Sequence, residues 1–147
     1  MAGKPLFVYG TLRDGDLRAA LLGRDLPASA CTPAQACGFG AVHYPQRVYP
    51  ALVAMPHGNA PGLLLHGLTP IDLAILDAFE GDEYRRDTID VQAPWGPVPA
   101  DTYLPRIAIA PDAAPWTLRH WAAHHSPQVL AGERAAAVIL RDRFTGR

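Results

Sequence analysis

Gly62-Leu63-Leu64-Leu65-His66-Gly67-Leu68-Thr69-Pro70-Ile71-Asp72-Leu73-Ala74-Ile75-Leu76-Asp77-Ala78-Phe79-Glu80-Gly81 contains the two kinds of element from which the chain is built. Its first seven residues are a short apolar run bounded by glycines, which reads as a buried strand. Thr69 then supplies a cap with proline at the first helical position, predicting a helix over Pro70 to Glu80 that stops at Gly81. Read at 100° per residue, that helix places Ile71, Ala74, Ile75, Ala78 and Phe79 on one apolar face. Glu80 falls on the other, mixed side, between Leu73 and Leu76 and near Asp77.

Working outward, Leu6-Phe7-Val8-Tyr9 predicts a second buried strand that ends at Gly10, and Asp16 to Leu22 a short helix with Asp16 as its cap. Between Pro27 and Pro61 frequent prolines and glycines leave only strand-length stretches, Gly38 to Tyr44 and Ala51 to Ala54. Thr88 to Ala93 alternates with period two, and Asp101 to Leu104 and Arg106 to Ala110 are further strand candidates. Trp116 to His124 and Pro127 to Phe144 predict helices, the second interrupted near Gly132. These elements specify an α+β protein, with short strands in one sheet or barrel and helices packed on it. No repeat and no low-complexity linker is visible, and 147 residues set an expectation of one domain over 1–147.

Composition narrows the chemistry. Apolar residues make up 49% of the chain and charged residues 18%, at a mean hydropathy of +0.01, as in a folded globular protein. Thirteen Lys plus Arg against fourteen Asp plus Glu give a net charge of −1, so neither nucleic acid nor an anionic membrane is an expected partner. The N-terminal apolar run is too short for a signal-peptide core or a membrane span, and a cytoplasmic location is expected. The single lysine, Lys4, argues against Schiff-base chemistry, and no phosphate loop with Gly-Lys-Ser/Thr is present. Neither serine, Ser29 or Ser126, sits in a Gly-x-Ser-x-Gly turn. Cys31 and Cys37 match no zinc or redox spacing and are expected to be buried or half-buried free thiols.

Two features remain. A carboxylate at the end of a helix opposes the helix dipole, and Asp77, Asp82 and Glu83 surround Glu80 with like charge. Both effects favour the neutral acid and suit a general base working near neutral pH. The alternative is an ordinary solvated acidic helix end relieved by Arg85 and Arg86. Tyr9-Gly10-Thr11-Leu12 is a strand running into a glycine turn whose exposed N–H groups can hold a carboxylate or oxyanion, unless it is a plain strand end. His120 and His124 have the i, i+4 spacing of two metal ligands, but no Glu follows His120 and surface histidines are the expected reading. Gly38-Phe39-Gly40-Ala41-Val42-His43 lacks the third glycine of a dinucleotide fingerprint.

Leu6 to Arg13, Tyr49-Pro50-Ala51-Leu52-Val53, Gly62 with Gly67-Leu68-Thr69, Leu76 to Arg86, and Ala100-Asp101-Thr102-Tyr103 follow one another in the order of the gamma-glutamylcyclotransferase-like family. The chain resembles the Tyr-Gly-Thr-Leu branch, which includes gamma-glutamylamine cyclotransferases. The resemblance is strongest over 6–109 and leaves the helical tail, 115–147, largely without a role. It implies a small mixed-strand β-barrel with a few packed helices, no cofactor and no metal, and a monomer or small homo-oligomer acting on a small γ-glutamyl compound. It implies that Glu80 is the proton acceptor, that Tyr9, Gly10, Thr11 and Leu12 hold the glutamyl head, that Tyr84 borders the pocket and that Arg86 steadies the local charges. Glu83 lies outside the matching position. The products would be 5-oxoproline and a freed amine or amino acid. Two alternatives stand beside this reading: a non-catalytic module binding an amino-acid-like ligand, and a biosynthetic enzyme that removes a γ-glutamyl protecting group.

Overall fold

Leu6-Phe7-Val8 forms β1, and its neighbours on both sides decide the architecture. A computed structural model describes residues 4–145. The other strands are β2 (Cys31–His43), β3 (Pro50–Leu65), β4 (Tyr84–Ala93) and β5 (Gly96–Pro105), and all five close into a barrel in the order β1-β3-β2-β4-β5. β1 runs antiparallel to β3, with Leu6 opposite Leu65, and parallel to β5, with Leu6 opposite Asp101. This mixed seam is tied by Thr102 Oγ1, which donates to the Phe7 carbonyl at 2.8 Å. The expected α+β class and mixed-strand barrel are therefore observed.

The strands are longer than the sequence predicts. The stretches at 51–54 and 62–65 are two parts of β3, and β2 begins at Cys31. Prolines mislead here because β3 meets β1 only at Leu63, Leu64 and Leu65, and β2 pairs with β4 only through Gln35 and Gln92. Pro33, Pro56 and Pro61 thus fall where one side of the strand has no ladder to lose. Between Cys37 and Phe39 the register shifts, so that Gly38, at φ +84°, faces residues 55–58. Similarly, β4 and β5 extend the predicted strands back to Tyr84 and Gly96, with Pro97 and Pro99 paired to Gln92 and Asp90. Arg106 to Ala110 is not a strand; Arg106 turns out of the sheet, its N–H bonded to the Glu83 carbonyl.

Helix α1 (Gly15–Leu22) is capped by Asp14, whose carboxylate accepts from the Leu17 N–H at 2.9 Å, and Asp16 lies inside the first turn. Helix α2 (Pro70–Glu80) has the predicted bounds, with a capping box between Thr69 and Asp72. Its buried stripe differs from the expected one: Ile71 and Ala78 are exposed, while Asp72, Ile75 and Leu76 are buried and Phe79 is half-buried. The helix is rotated because Asp72 is drawn inward by Arg24, which donates to both its carboxylate oxygens at 3.0 and 2.7 Å. Glu80 consequently lies beside this stripe, one turn beyond Leu76.

Helix α3 (Leu118–His124) starts after Trp116, and α4 (Ser126–Thr145) continues through Gly132 without the expected break. Alanines 34, 36, 60, 93 and 100 fit around Phe7, Leu52 and Leu64 in one buried cluster of the barrel. A second cluster joins Leu17, Leu21, Ile75, Leu76 and Ala137 of the helices to Leu6, Val8 and Leu65. Both cysteines are free, Cys31 half-buried and Cys37, against expectation, exposed beside the register shift. The rings of His120 and His124 stack 4.1 Å apart, and among the described residues no group of three His, Cys, Asp or Glu is placed to hold a metal ion. Among the same residues no helix is long and apolar enough to cross a membrane.

Candidate active site

The chain leaves β1 at Val8 and turns at once. Tyr9 is buried and its hydroxyl donates to the Tyr103 carbonyl, which pins the strand end to β5. Gly10 begins a 3-10 turn over Thr11–Arg13, closed by bonds from the Arg13 N–H to the Gly10 carbonyl and from the Asp14 N–H to the Thr11 carbonyl. The amides of Thr11 and Leu12 belong to the first turn, where no carbonyl of the same turn stands behind them. Leu12 is buried and anchors the loop, and Arg18 donates to its carbonyl at 2.9 Å. Gly10 has no room for a side chain, because a Cβ there would stand 2.8 Å from Cγ of Pro50.

Glu80, the last residue of α2, faces the same space. One small cavity is bordered by Glu80, by Tyr9, Gly10, Thr11 and Leu12, and by Tyr84, so all six sequence-predicted site residues come together. The sequence reading did not assign three further walls, Tyr49, Pro50 and Tyr103, although each lies inside a segment that carried the resemblance. Phe7 and Val8 complete the lining. Tyr44, Tyr49 and Tyr84 pack ring against ring at 5.6–6.2 Å between centroids, which stiffens one side.

The tyrosine hydroxyls are committed. Tyr84 donates to the Pro50 carbonyl at 2.6 Å and Tyr103 to Asp77 at 2.7 Å. Burial, reinforced by the nearby Glu80 carboxylate, holds the Tyr9 and Tyr84 hydroxyls well above the usual phenol range. Burial together with the Asp77 bond does the same for Tyr103. Tyr49, raised by burial and by its bond to Glu83, is pushed up to about 12. The tyrosines of the cavity wall therefore stay uncharged at neutral pH, and Glu80 is the sole carboxylate among the described residues lining it.

The like charges that the sequence sets around Glu80 are largely met by other groups. Asp77 accepts from Arg86 Nε and Nη2 at 2.9 and 3.2 Å. Arg86 also reaches Asp101 at 3.4 Å, which fits the steadying role expected of it. Glu83 accepts from the Tyr49 hydroxyl and pairs with Arg47 at 3.5 Å. Arg85, expected to relieve this helix end, pairs instead with Asp87. Among the described lining residues there is no Lys, Arg or His, so an anionic headgroup in this cavity would be met by neutral donors, the N–H groups of the Gly10 turn and the Thr11 hydroxyl among them.

The sequence model of the family described as gamma-glutamyl cyclotransferase, AIG2-like, matches residues 6–126. The chain belongs to this family. AIG2-like protein C of Arabidopsis thaliana is 32% identical over 126 residues, covering 84% of this chain and 72% of that one. AIG2-like protein A of the same plant is 37% identical over 87 residues, 58% of this chain and half the length of that relative. Among solved structures, an Arabidopsis thaliana protein determined in solution superposes with a TM-score of 0.66 at 28% identity, over 88% of this chain and 87% of that one. A crystal structure of an AIG2-like protein from Mus musculus superposes with a TM-score of 0.56 at 23% identity, over 78% and 85% of the two chains, and shares the fold. The family match spans every residue assigned to the site, from Tyr9 to Tyr84.

Proposed function

We propose that this AIG2-like family member is a cyclotransferase that converts a γ-glutamyl amine or γ-glutamyl amino acid into 5-oxoproline and the free amine. The observation that carries the reading is the meeting of Glu80 with the Tyr9-to-Leu12 turn in one cavity whose lining has no second carboxylate and no cationic side chain among the described residues. A γ-glutamyl compound brings its own nucleophile. Its α-amino nitrogen bonds to the γ-carbonyl carbon, closing a five-membered lactam, and the bond from that carbon to the leaving nitrogen breaks. Attack within one molecule draws on proximity, so no enzyme nucleophile and no cofactor is required. The substrate's ammonium gives a proton to Glu80, and Glu80 returns it to the departing amine. The Gly10 turn supplies N–H donors to the glutamyl head and to the developing oxyanion.

Glu80→Gln keeps the side chain's shape and removes its basicity. In this variant 5-oxoproline release from γ-glutamyl substrates should fall by about 10²- to 10⁴-fold, the usual contribution of a positioned general base, with the fold unchanged by circular dichroism. Wild-type turnover in folded Glu80→Gln overturns the assignment.

A further inference from the structure

A second recess in the barrel shares no lining residue with the candidate active site. It opens where β2 and β4, joined only through Gln35 and Gln92, part from one another. The small buried residues Ala34, Gly62 and Ala93 leave depth there that larger side chains would fill. Pro33, Pro61 and Pro94, with Leu63 and Leu118, give it apolar walls, and the prolines bring no N–H of their own.

Arg13 is the cation of this recess. It follows Leu12 directly and is half-buried. The other half-buried arginines among the described residues are engaged, Arg18 with the Leu12 carbonyl at 2.9 Å and Arg141 with Asp142 at 3.6 Å. Arg13 makes no side-chain hydrogen bond or ion pair with any described residue. Neighbouring acids are committed elsewhere: Asp14 caps α1 and Asp16 pairs with Arg134. No Asp or Glu is among the described residues lining the recess. Burial, with no charge to oppose it, pulls the Arg13 guanidinium below the usual arginine range. Gln35 adds a neutral donor, because its carboxamide oxygen accepts from Asn59 Nδ2 at 2.8 Å and its NH2 group is left to donate.

A guanidinium fork matches the two oxygens of a carboxylate, and one cation answers one negative charge. A phosphate dianion would keep a charge unmet among apolar walls. A short hydrocarbon body, in contrast, would leave water on meeting the prolines, Leu63 and Leu118. We infer that this recess is a second binding site, for a small organic carboxylate with a compact apolar body, held by Arg13 and the Gln35 amide. The inference is independent of the cyclotransferase reading.

The test is a two-dimensional NMR titration of the nitrogen-15-labelled chain with isovalerate, acetate, isovaleramide and inorganic phosphate. Isovalerate should move the Arg13 Nε–H, the Gln35 side-chain amide and the Gly62 N–H, and should bind about tenfold more tightly than isovaleramide or phosphate and about fivefold more tightly than acetate. Equal affinity for any of these three, shifts confined to Gly10, Thr11 and Leu12, or no shift with isovalerate overturns the inference. Arg13→Gln removes the charge and should weaken isovalerate binding about tenfold. Should that variant not fold, Leu118→Glu places a competing carboxylate in the recess and should do the same. Unchanged isovalerate binding in either folded variant overturns the assignment.

Discussion

Cγ of Pro50 lies 2.8 Å from the point that a Cβ on Gly10 would occupy, so the turn after β1 and the start of β3 are in contact across the mouth of the cavity. Pro50 has little freedom to yield, being buried, and its carbonyl is held by the Tyr84 hydroxyl. Gly10→Ala should therefore destabilise the protein by about 1–3 kcal/mol through overpacking. Because the displaced turn carries the donors for the glutamyl head, 5-oxoproline release should fall by about 10²-fold. Thermal unfolding and turnover measured on the same preparation check both outcomes. An active Gly10→Ala protein of unchanged Tm would show that the contact is slack.

A second glycine separates stability from chemistry. At Gly62 a Cβ would stand 2.5 Å from the Val8 carbonyl oxygen and 2.6 Å from the Phe7 ring, and neither can move without opening the β1–β3 seam. Gly62→Ala should lower the urea midpoint by the equivalent of about 1–3 kcal/mol. A midpoint within error of wild type contradicts this packing.

All five tyrosines of the chain, Tyr9, Tyr44, Tyr49, Tyr84 and Tyr103, have hydroxyls held above the ordinary phenol range, in each case chiefly by burial. The folded state thus holds protons that the unfolded chain releases near pH 10. Stability from this source is complete below pH 10 and declines as pH rises beyond it, since the folded state binds more protons than the unfolded one. Absorbance at 295 nm should show no tyrosinate near pH 10 and a cooperative rise at higher pH that coincides with unfolding. A normal titration of two or more tyrosines near pH 10 in folded protein refutes this.

At the acid end the relevant group is Asp72. Its burial works against ionisation, but Arg24 and the Thr69 N–H outweigh that and hold the carboxyl below its usual range. This contribution is present above the unfolded value near pH 4 and is lost as pH falls through the lower folded value. Asp72→Asn should cost about 1–3 kcal/mol at pH 7, through the lost ion pair and weakened capping box, and should flatten the stability decline below pH 4. Urea midpoints at pH 7 and pH 3 measure the difference; parallel pH profiles for the two proteins would remove Asp72 from the account.

Asp72 also explains where the sequence misleads. An apolar pattern locates Pro70–Glu80 correctly, with its Thr69 cap, but a charged residue that is buried by a partner 48 positions away leaves no apolar mark. The helix was therefore expected to bury Ile71 and Ala78, which are exposed. Prolines blurred the strands in the same way, since whether a proline breaks a ladder depends on whether that side of the strand has a neighbour, which is a property of the closed barrel. The candidate site was more legible than the strands. Glu80 and the Tyr9–Leu12 turn stand out by chemistry, as an acid at a helix end and a glycine turn after a strand. Tyr49, Pro50 and Tyr103 have no such signature; they become walls only because β3 and β5 pass the end of β1.

The seam between β1 and β5 sets an order of events during folding. Leu6 is paired with Asp101, and Tyr9 is bonded to Tyr103, across more than ninety residues of intervening chain. Contacts of such long range form slowly, because the entropy of closing the loop is spent before they contribute. During synthesis Leu6-Phe7-Val8 can pair with β3 along one edge, but its other edge stays open until β5 has left the ribosome. The cavity draws its walls from residues 7–12, 49–50, 80, 84 and 103, and so it has no existence in any shorter nascent chain. A truncated product lacking β5 would expose a sticky strand and no binding site, which makes barrel closure the checkpoint between a liability for chaperones and a finished protein.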